Sequence, residues 1–128
     1  LNKAVLDSSA VLAVLQGEPG AEIVLANLPG AFLSTVNLAE VITKLTMAGL
    51  PAAEARLSVE QLRLTIVDFT SNHAEITGGL QPATGKAGLS LSDRACLALA
   101  GIHDAKALTT DRSWTKVSGF EVVLIRGG

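Results

Sequence analysis

Asp7, Glu40, Asp93 and Asp111 are the residues of this 128-residue chain whose types and spacing could do chemistry. Asp7 closes the apolar run Ala4-Val5-Leu6, and Glu40 sits inside a helical pattern. Asp93 opens an alanine- and leucine-rich helix, and Asp111 follows Ala107-Leu108-Thr109-Thr110. Each lies at or near a strand-to-helix junction, where a parallel sheet gathers functional groups at the carboxyl ends of its strands. Four carboxylates converging there repel one another unless a cation sits between them. The pattern therefore points to a divalent-metal site.

Each acid also has a plainer role. Asp7 and Asp93 stand where helices start, and a negative charge there caps the helix or suits its dipole. Glu40 precedes Lys44 by four residues, the favourable order for a surface ion pair, and lies roughly opposite the Leu38/Val41/Ile42/Leu45 stripe. Val36 and Met47 share its side of the helix, so that face is not simply polar. Asp111 lies where turns commonly carry Asp. It is their joint placement along one sheet edge that argues for metal.

The elements that must position them alternate regularly. Strands are expected at Lys3–Asp7, Ala31–Thr35, Leu64–Asp68, Ala105–Thr109 and Glu121–Ile125. Helices are expected at Ser9–Gln16, Gly20–Asn27 and Val36–Ala48, then from Pro51, as first helical residue, to Leu62. A weaker helix, Ser71–Leu80, is interrupted by Gly78-Gly79; Gln81–Gly88, with Pro82, Gly85 and Gly88, reads as loop. Leu91–Asp104 is apolar nearly all round and reads as a buried helix. Strands alternating with helices imply a parallel sheet covered on both sides. The chain, residues 1–128, reads as a single domain without internal repeat.

Composition narrows the class. At 48% hydrophobic and 17% charged, the chain is globular rather than disordered, and its few aromatics leave the core to Leu, Val, Ile and Ala. No apolar run approaches the roughly 20 residues that span a bilayer, and no secretory signal pattern opens the chain. The single cysteine, Cys96, excludes an internal disulfide and reads as core packing in a reducing cytoplasm. A net charge of −2 gives no electrostatic argument for nucleic acid by itself.

Val5-Leu6-Asp7-Ser8-Ser9-Ala10, Asn37-Leu38-Ala39-Glu40-Val41, Gly88-Leu89-Ser90-Leu91-Ser92-Asp93 and Leu108-Thr109-Thr110-Asp111 with Trp114 together resemble a PIN domain. In particular they resemble the VapC-type ribonuclease toxins of prokaryotic toxin–antitoxin pairs. The resemblance runs over nearly the whole chain, and its most specific stretch is Gly88–Ala100. It implies a three-layer α/β/α domain with a central, mainly parallel five-stranded sheet. It also implies metal-dependent endonucleolytic cleavage of RNA. Carried over by position, Asp7, Glu40, Asp93 and Asp111 form the catalytic, Mg²⁺- or Mn²⁺-binding set, with Asp7 and Asp93 as direct ligands and Glu40 and Asp111 acting partly through metal-bound water. Two positions depart from the family's usual residues: Trp114 stands where Phe is common, and Arg94 where Ala is. Neither is an acid.

Further expectations attach to that reading. Hard divalent cations prefer carboxylate oxygens, so hydrolysis needs no His or Cys nucleophile. Arg94, Arg112 and Lys116, with Lys3 and Lys86, are candidates to hold flanking RNA phosphates. A cognate antitoxin, a homodimer formed through Ser9–Asn27 and Val36–Leu62, and a cytoplasmic location are expected, with no membrane contact. The alternative is a non-catalytic module of the same fold that binds RNA or assembles with partners. Gly79–Lys86 is rejected as a phosphate loop, because its spacing is one residue too long and Ala87 replaces Ser or Thr. His73 and His103 share no metal-ligand spacing, and Asp68 reads as a turn initiator.

Overall fold

The computed structural model describes residues 3–126. Among these residues five short strands form one sheet in the order β3-β2-β1-β4-β5, and every neighbouring pair runs parallel. They are β1 Ala4–Leu6, β2 Phe32–Ser34, β3 Thr65–Val67, β4 Lys106–Thr109 and β5 Val122–Leu124. The helices among the described residues are α1 Ser8–Leu15, α2 Ala21–Asn27, α3 Thr35–Met47, α4 Ala52–Glu60, α5 Ser71–Gly79, α6 Gln81–Thr84 and α7 Leu91–His103. The expected α/β/α layering with a parallel five-stranded sheet is therefore present, with each strand shorter than its sequence pattern.

Side-chain alternation along the strands divides the core in two. Ala4 and Leu6 of β1, Leu33 of β2 and Leu108 of β4 face α1–α4, packing with Val11, Val24, Val41 and Val59. Val5, Ala107, Phe32 and Val122 point the other way, toward Cys96, Leu97 and Leu99 of α7 and the buried indole of Trp114. The period of two explains why β1, buried on both faces, reads as an unbroken apolar run.

Several boundaries differ from expectation. Gln81–Gly88 is not loop but α6 followed by a 3-10 turn at Gly85–Ala87. Pro82 lies in the first turn, where its missing N–H costs nothing, and the buried Thr84 hydroxyl donates to the Leu80 carbonyl at 2.8 Å. Helix α5 continues through Gly78 to Gly79 without the expected interruption. Pro51 is the cap residue before α4 rather than its first helical residue. In α7 the buried stretch is Ala95–Ala100, whereas Leu91 and Ile102 are exposed. A 3-10 turn at Arg112–Lys116, unanticipated in the sequence, carries Trp114 into the core.

Strand order places β1 between β2 and β4, so the chain's connections diverge on either side of it. In open parallel sheets the crevice at such a switch point is where functional groups meet. Asp7 is the first residue beyond β1, and its backbone N–H continues the ladder to the Leu108 carbonyl of β4 at 3.2 Å.

The start of α2 is held against the end of the sheet. Gly20 has φ +96°, and a Cβ there would stand 2.4 Å from the Ile125 carbonyl oxygen; Gly17, at φ +65°, faces open space. Gly17→Ala should therefore lose about 1–2 kcal/mol from the left-handed backbone alone. Gly20→Ala adds the clash and should lose roughly 3 kcal/mol or more in urea denaturation. Equal losses at the two positions would show that the close approach is not energetically real.

Candidate active site

Apart from Glu40 and Asn37 inside α3, the site is built from short polar segments that follow strands or open helices. Asp7, only 5% exposed, caps α1: its Oδ1 accepts from the Ala10 N–H at 2.8 Å and from Ser9 Oγ at 2.6 Å. Its Oδ2 accepts from Thr109 Oγ1, at the end of β4, at 2.5 Å. Both hydroxyls are themselves loaded from behind. Ser9 Oγ accepts the Thr110 N–H at 3.0 Å, and Thr109 Oγ1 accepts the Asp111 N–H at 3.0 Å. Each hydroxyl thus passes the polarity of a backbone amide on to the carboxylate.

Asp93 lies in the first turn of α7 and closes a capping box with Ser90. Its Oδ2 accepts the Ser90 N–H at 2.9 Å, while Ser90 Oγ accepts the Asp93 N–H at 3.2 Å. Glu40, half-buried on α3, makes no ion pair with Lys44. Its Oε1 accepts from Ser8 Oγ at 2.5 Å and its Oε2 from Ser92 Oγ at 3.0 Å. Asn37, one turn earlier on α3, donates from Nδ2 to the Ser92 carbonyl at 3.1 Å. Asp111 is exposed and caps the following 3-10 turn, its Oδ1 accepting from Ser113 N and Oγ at 2.9 and 2.7 Å.

The Asp7 carboxyl is raised to about 6: burial pushes it up most, bonds from Ser9, Thr109 and the Ala10 amide lower it in part, and the Asp93 charge adds to the rise. Cys96 lies on α7, three residues beyond Asp93. Burial pushes its thiol well up, and Asp7, Asp93 and Glu40 push in the same direction. These three carboxylates therefore share one electrostatic neighbourhood. Asp111 is joined to it through its own N–H and the Thr109 hydroxyl.

Among the described residues, no three Asp, Glu, His or Cys side chains lie close enough together to enclose a metal ion as they stand. Mg²⁺ commonly takes only one or two carboxylates and keeps several waters, so a pair suffices. The oxygen inventory fits such a pair. Asp7 Oδ2 and each Glu40 oxygen accept one bond each, leaving a lone pair, and the bond described for the Asp93 carboxylate falls on Oδ2. Among the described residues no basic side chain is among the groups that move Asp7, and the groups that oppose its burial there are neutral donors.

A PIN domain profile matches residues 4–119. The chain belongs to the PIN domain family. A search of curated proteins finds no match. Solved structures share the PIN fold. One is a toxin–antitoxin complex from Klebsiella pneumoniae, with a TM-score of 0.75 and 20% identity, covering 96% of this chain and 98% of that one. Another is DNA-bound VapBC from Salmonella typhimurium, with a TM-score of 0.75 and 19% identity over 98% and 100% of the two chains. A third is VapBC2 from Rickettsia felis bound to a promoter DNA fragment, with a TM-score of 0.73 and 15% identity over 95% and 98%.

The remaining candidates of this PIN domain take different places. Arg94 is half-buried and donates from Nη1 to the Thr77 carbonyl at 3.1 Å, which fastens α7 to α5. Arg112 and Lys116 are exposed on the 3-10 turn beyond Asp111. Asp68 is exposed, and Thr70 rather than Asp68 caps α5. His103 stacks on Phe32 with ring centroids 4.2 Å apart; burial, then Lys3 and His73, lower its pKa. The residues that sequence reasoning passed over are the hydroxyls Ser8, Ser9, Ser92 and Thr109 and the amide of Asn37. Their signal was adjacency: each hydroxyl stands within two positions of one of the four acids.

The folded Asp7 value of about 6 lies above the ordinary 3.8, so the folded chain holds a proton that the unfolded chain releases. Stability contributed by Asp7 therefore falls as pH rises from about 4 through 6, by on the order of 3 kcal/mol. With chelator present at pH 8, Asp7→Asn should be more stable than the parent by about 1–3 kcal/mol in urea denaturation. The gap should close below pH 4, where both side chains are neutral. A variant less stable at pH 8 would mean that the hydroxyls fully compensate the buried charge.

Proposed function

We propose that this PIN domain is a metal-dependent endoribonuclease, the toxin of a toxin–antitoxin pair, which hydrolyses RNA phosphodiester bonds with Mg²⁺ or Mn²⁺. The observation that carries the reading is the buried Asp7 carboxylate, met among the described residues by neutral donors and set beside the Asp93 charge. A site built this way gains most from a cation. Asp7 and Asp93 would hold the ion directly, with Glu40 and Asp111 bordering it. When bound, the ion supplies positive charge against the scissile phosphate and acidifies a water.

The chain's own groups do the rest. Ser9 and Thr109 keep Asp7 oriented, and the Ser90–Asp93 capping box fixes Asp93 at the start of α7. Arg112 and Lys116, exposed on the turn beyond Asp111, are in this proposal the candidates to hold phosphates flanking the cleaved bond. Arg94 enters this reading less directly, since its guanidinium is engaged with Thr77. Leu25, Met47 and Leu57, exposed on α2, α3 and α4, offer apolar surface for an antitoxin or a second copy. No described helix is long and apolar enough to cross a membrane; a cytoplasmic location belongs to the same proposal.

Incubating the protein with mixed RNA in Mg²⁺, Mn²⁺ or excess chelator, beside Asp93→Asn, tests the proposal. Cutting should require the metal and fall by roughly a hundredfold or more in the variant. Undiminished cutting by a clean variant would reject the assigned site. Neither cutting nor Mn²⁺ binding would instead favour a non-catalytic RNA-binding or assembly module. Light scattering at micromolar concentration should give twice the 13.1 kDa chain mass, and a strict monomer would reject the homodimer.

A further inference from the structure

We propose that Ser8 and Ser92 are positioning residues, a two-hydroxyl clamp that fixes the Glu40 carboxylate and thereby sets how tightly the site holds a divalent cation. The proposal rests on reading the four acids as a divalent-cation site.

The geometry singles out these two serines. Glu40 is a long, half-exposed side chain on α3 with Lys44 one turn away, and helix geometry alone would leave it in solvent or paired with that lysine. Instead its two oxygens are divided between two distant segments: Ser8 Oγ on Oε1 at 2.5 Å and Ser92 Oγ on Oε2 at 3.0 Å. Ser8 shares a peptide bond with Asp7, and Ser92 shares one with Asp93. The clamp therefore references Glu40 to the backbone of both proposed ligands, Asp7 and Asp93. An ionised carboxylate only accepts, so both serines must donate.

The Ser92 end is braced twice more. Its Oγ lies 3.1 Å from Ser90 Oγ. Since Ser92 donates to Glu40, Ser90 must be the donor in that pair. Ser90 Oγ in turn accepts the Asp93 N–H, so a chain of bonds runs from the α7 cap to Glu40. Asn37 holds the Ser92 carbonyl from the same face of α3 that carries Glu40. Hydrogen-bond partners of this kind, one step behind a metal-binding group, typically control about 10–100-fold in metal affinity.

The test is a double-mutant cycle read as Mn²⁺ affinity, by calorimetry on the full chain, independent of any RNA. The proteins are the parent, Ser8→Ala with Ser92→Ala, Glu40→Ala, and all three changes together. The serine pair should weaken Mn²⁺ binding about tenfold in the parent and have no further effect once Glu40 is gone. Ser8→Thr with Ser92→Thr keeps both donors and should restore parental affinity. If the alanine pair does not fold, Ser92→Ala alone carries the test, with a loss of roughly threefold expected. An equal loss with and without Glu40, or no loss at all, would overturn the clamp. A parent chain that fails to bind Mn²⁺ would remove the cation site itself, and the first titration separates that failure from the others.

Discussion

A buried carboxylate met by neutral donors is the constraint around which this PIN domain is organised. Asp7 lies beyond the central strand, desolvated by burial, and Asp93 adds a second negative charge to its surroundings. The protein answers with hydroxyls rather than lysines. Ser9 and Thr109 each accept a backbone amide and donate to Asp7, and Ser92 ends a similar relay at Glu40. Such relays orient the acids and moderate their repulsion while leaving the net negative charge in place. An ion pair would have neutralised it.

The same arrangement explains why helix capping and site building cannot be separated here. Asp7 caps α1, Asp93 completes the box at the start of α7, and Asp111 caps the turn that buries Trp114. The plainer readings of these acids as cap residues are thus true of the structure. A cap that is also desolvated and set beside a second acid differs from an ordinary one, and that difference is a matter of tertiary packing. Glu40 is the reverse case. Its ordinary helix partner, Lys44, is set aside for two serines brought in from 32 and 52 residues away.

Much of the fold was legible in the chain because local patterns and global packing agree. The Ala4–Leu6 run, the Leu38/Val41/Leu45 stripe and the β-branched Thr65–Val67 all form the elements they suggest. The segment 81–88 was misread because Pro and Gly were taken as breakers; Pro82 in a first turn and the buried Thr84 make a short helix instead. Asp7 and Asp111 stand out in the chain by their positions after apolar runs, Glu40 and Asp93 by their places in helices. Their hydroxyl partners were not, because pairing Ser8 with Glu40 or Thr109 with Asp7 depends on which strands become neighbours.

That neighbourhood has a consequence for how the chain comes into being. Central strand β1 is made well before its partner β4, which pairs Leu108 with Leu6. Until β4 emerges from the ribosome, Asp7 has no Thr109, and β1 lacks half its ladder. Contacts so distant in sequence close late and slowly. A nascent chain that stops short of β4 therefore carries Asp7 without the site, and the carboxylate neighbourhood exists only once α7 and β4 have been made.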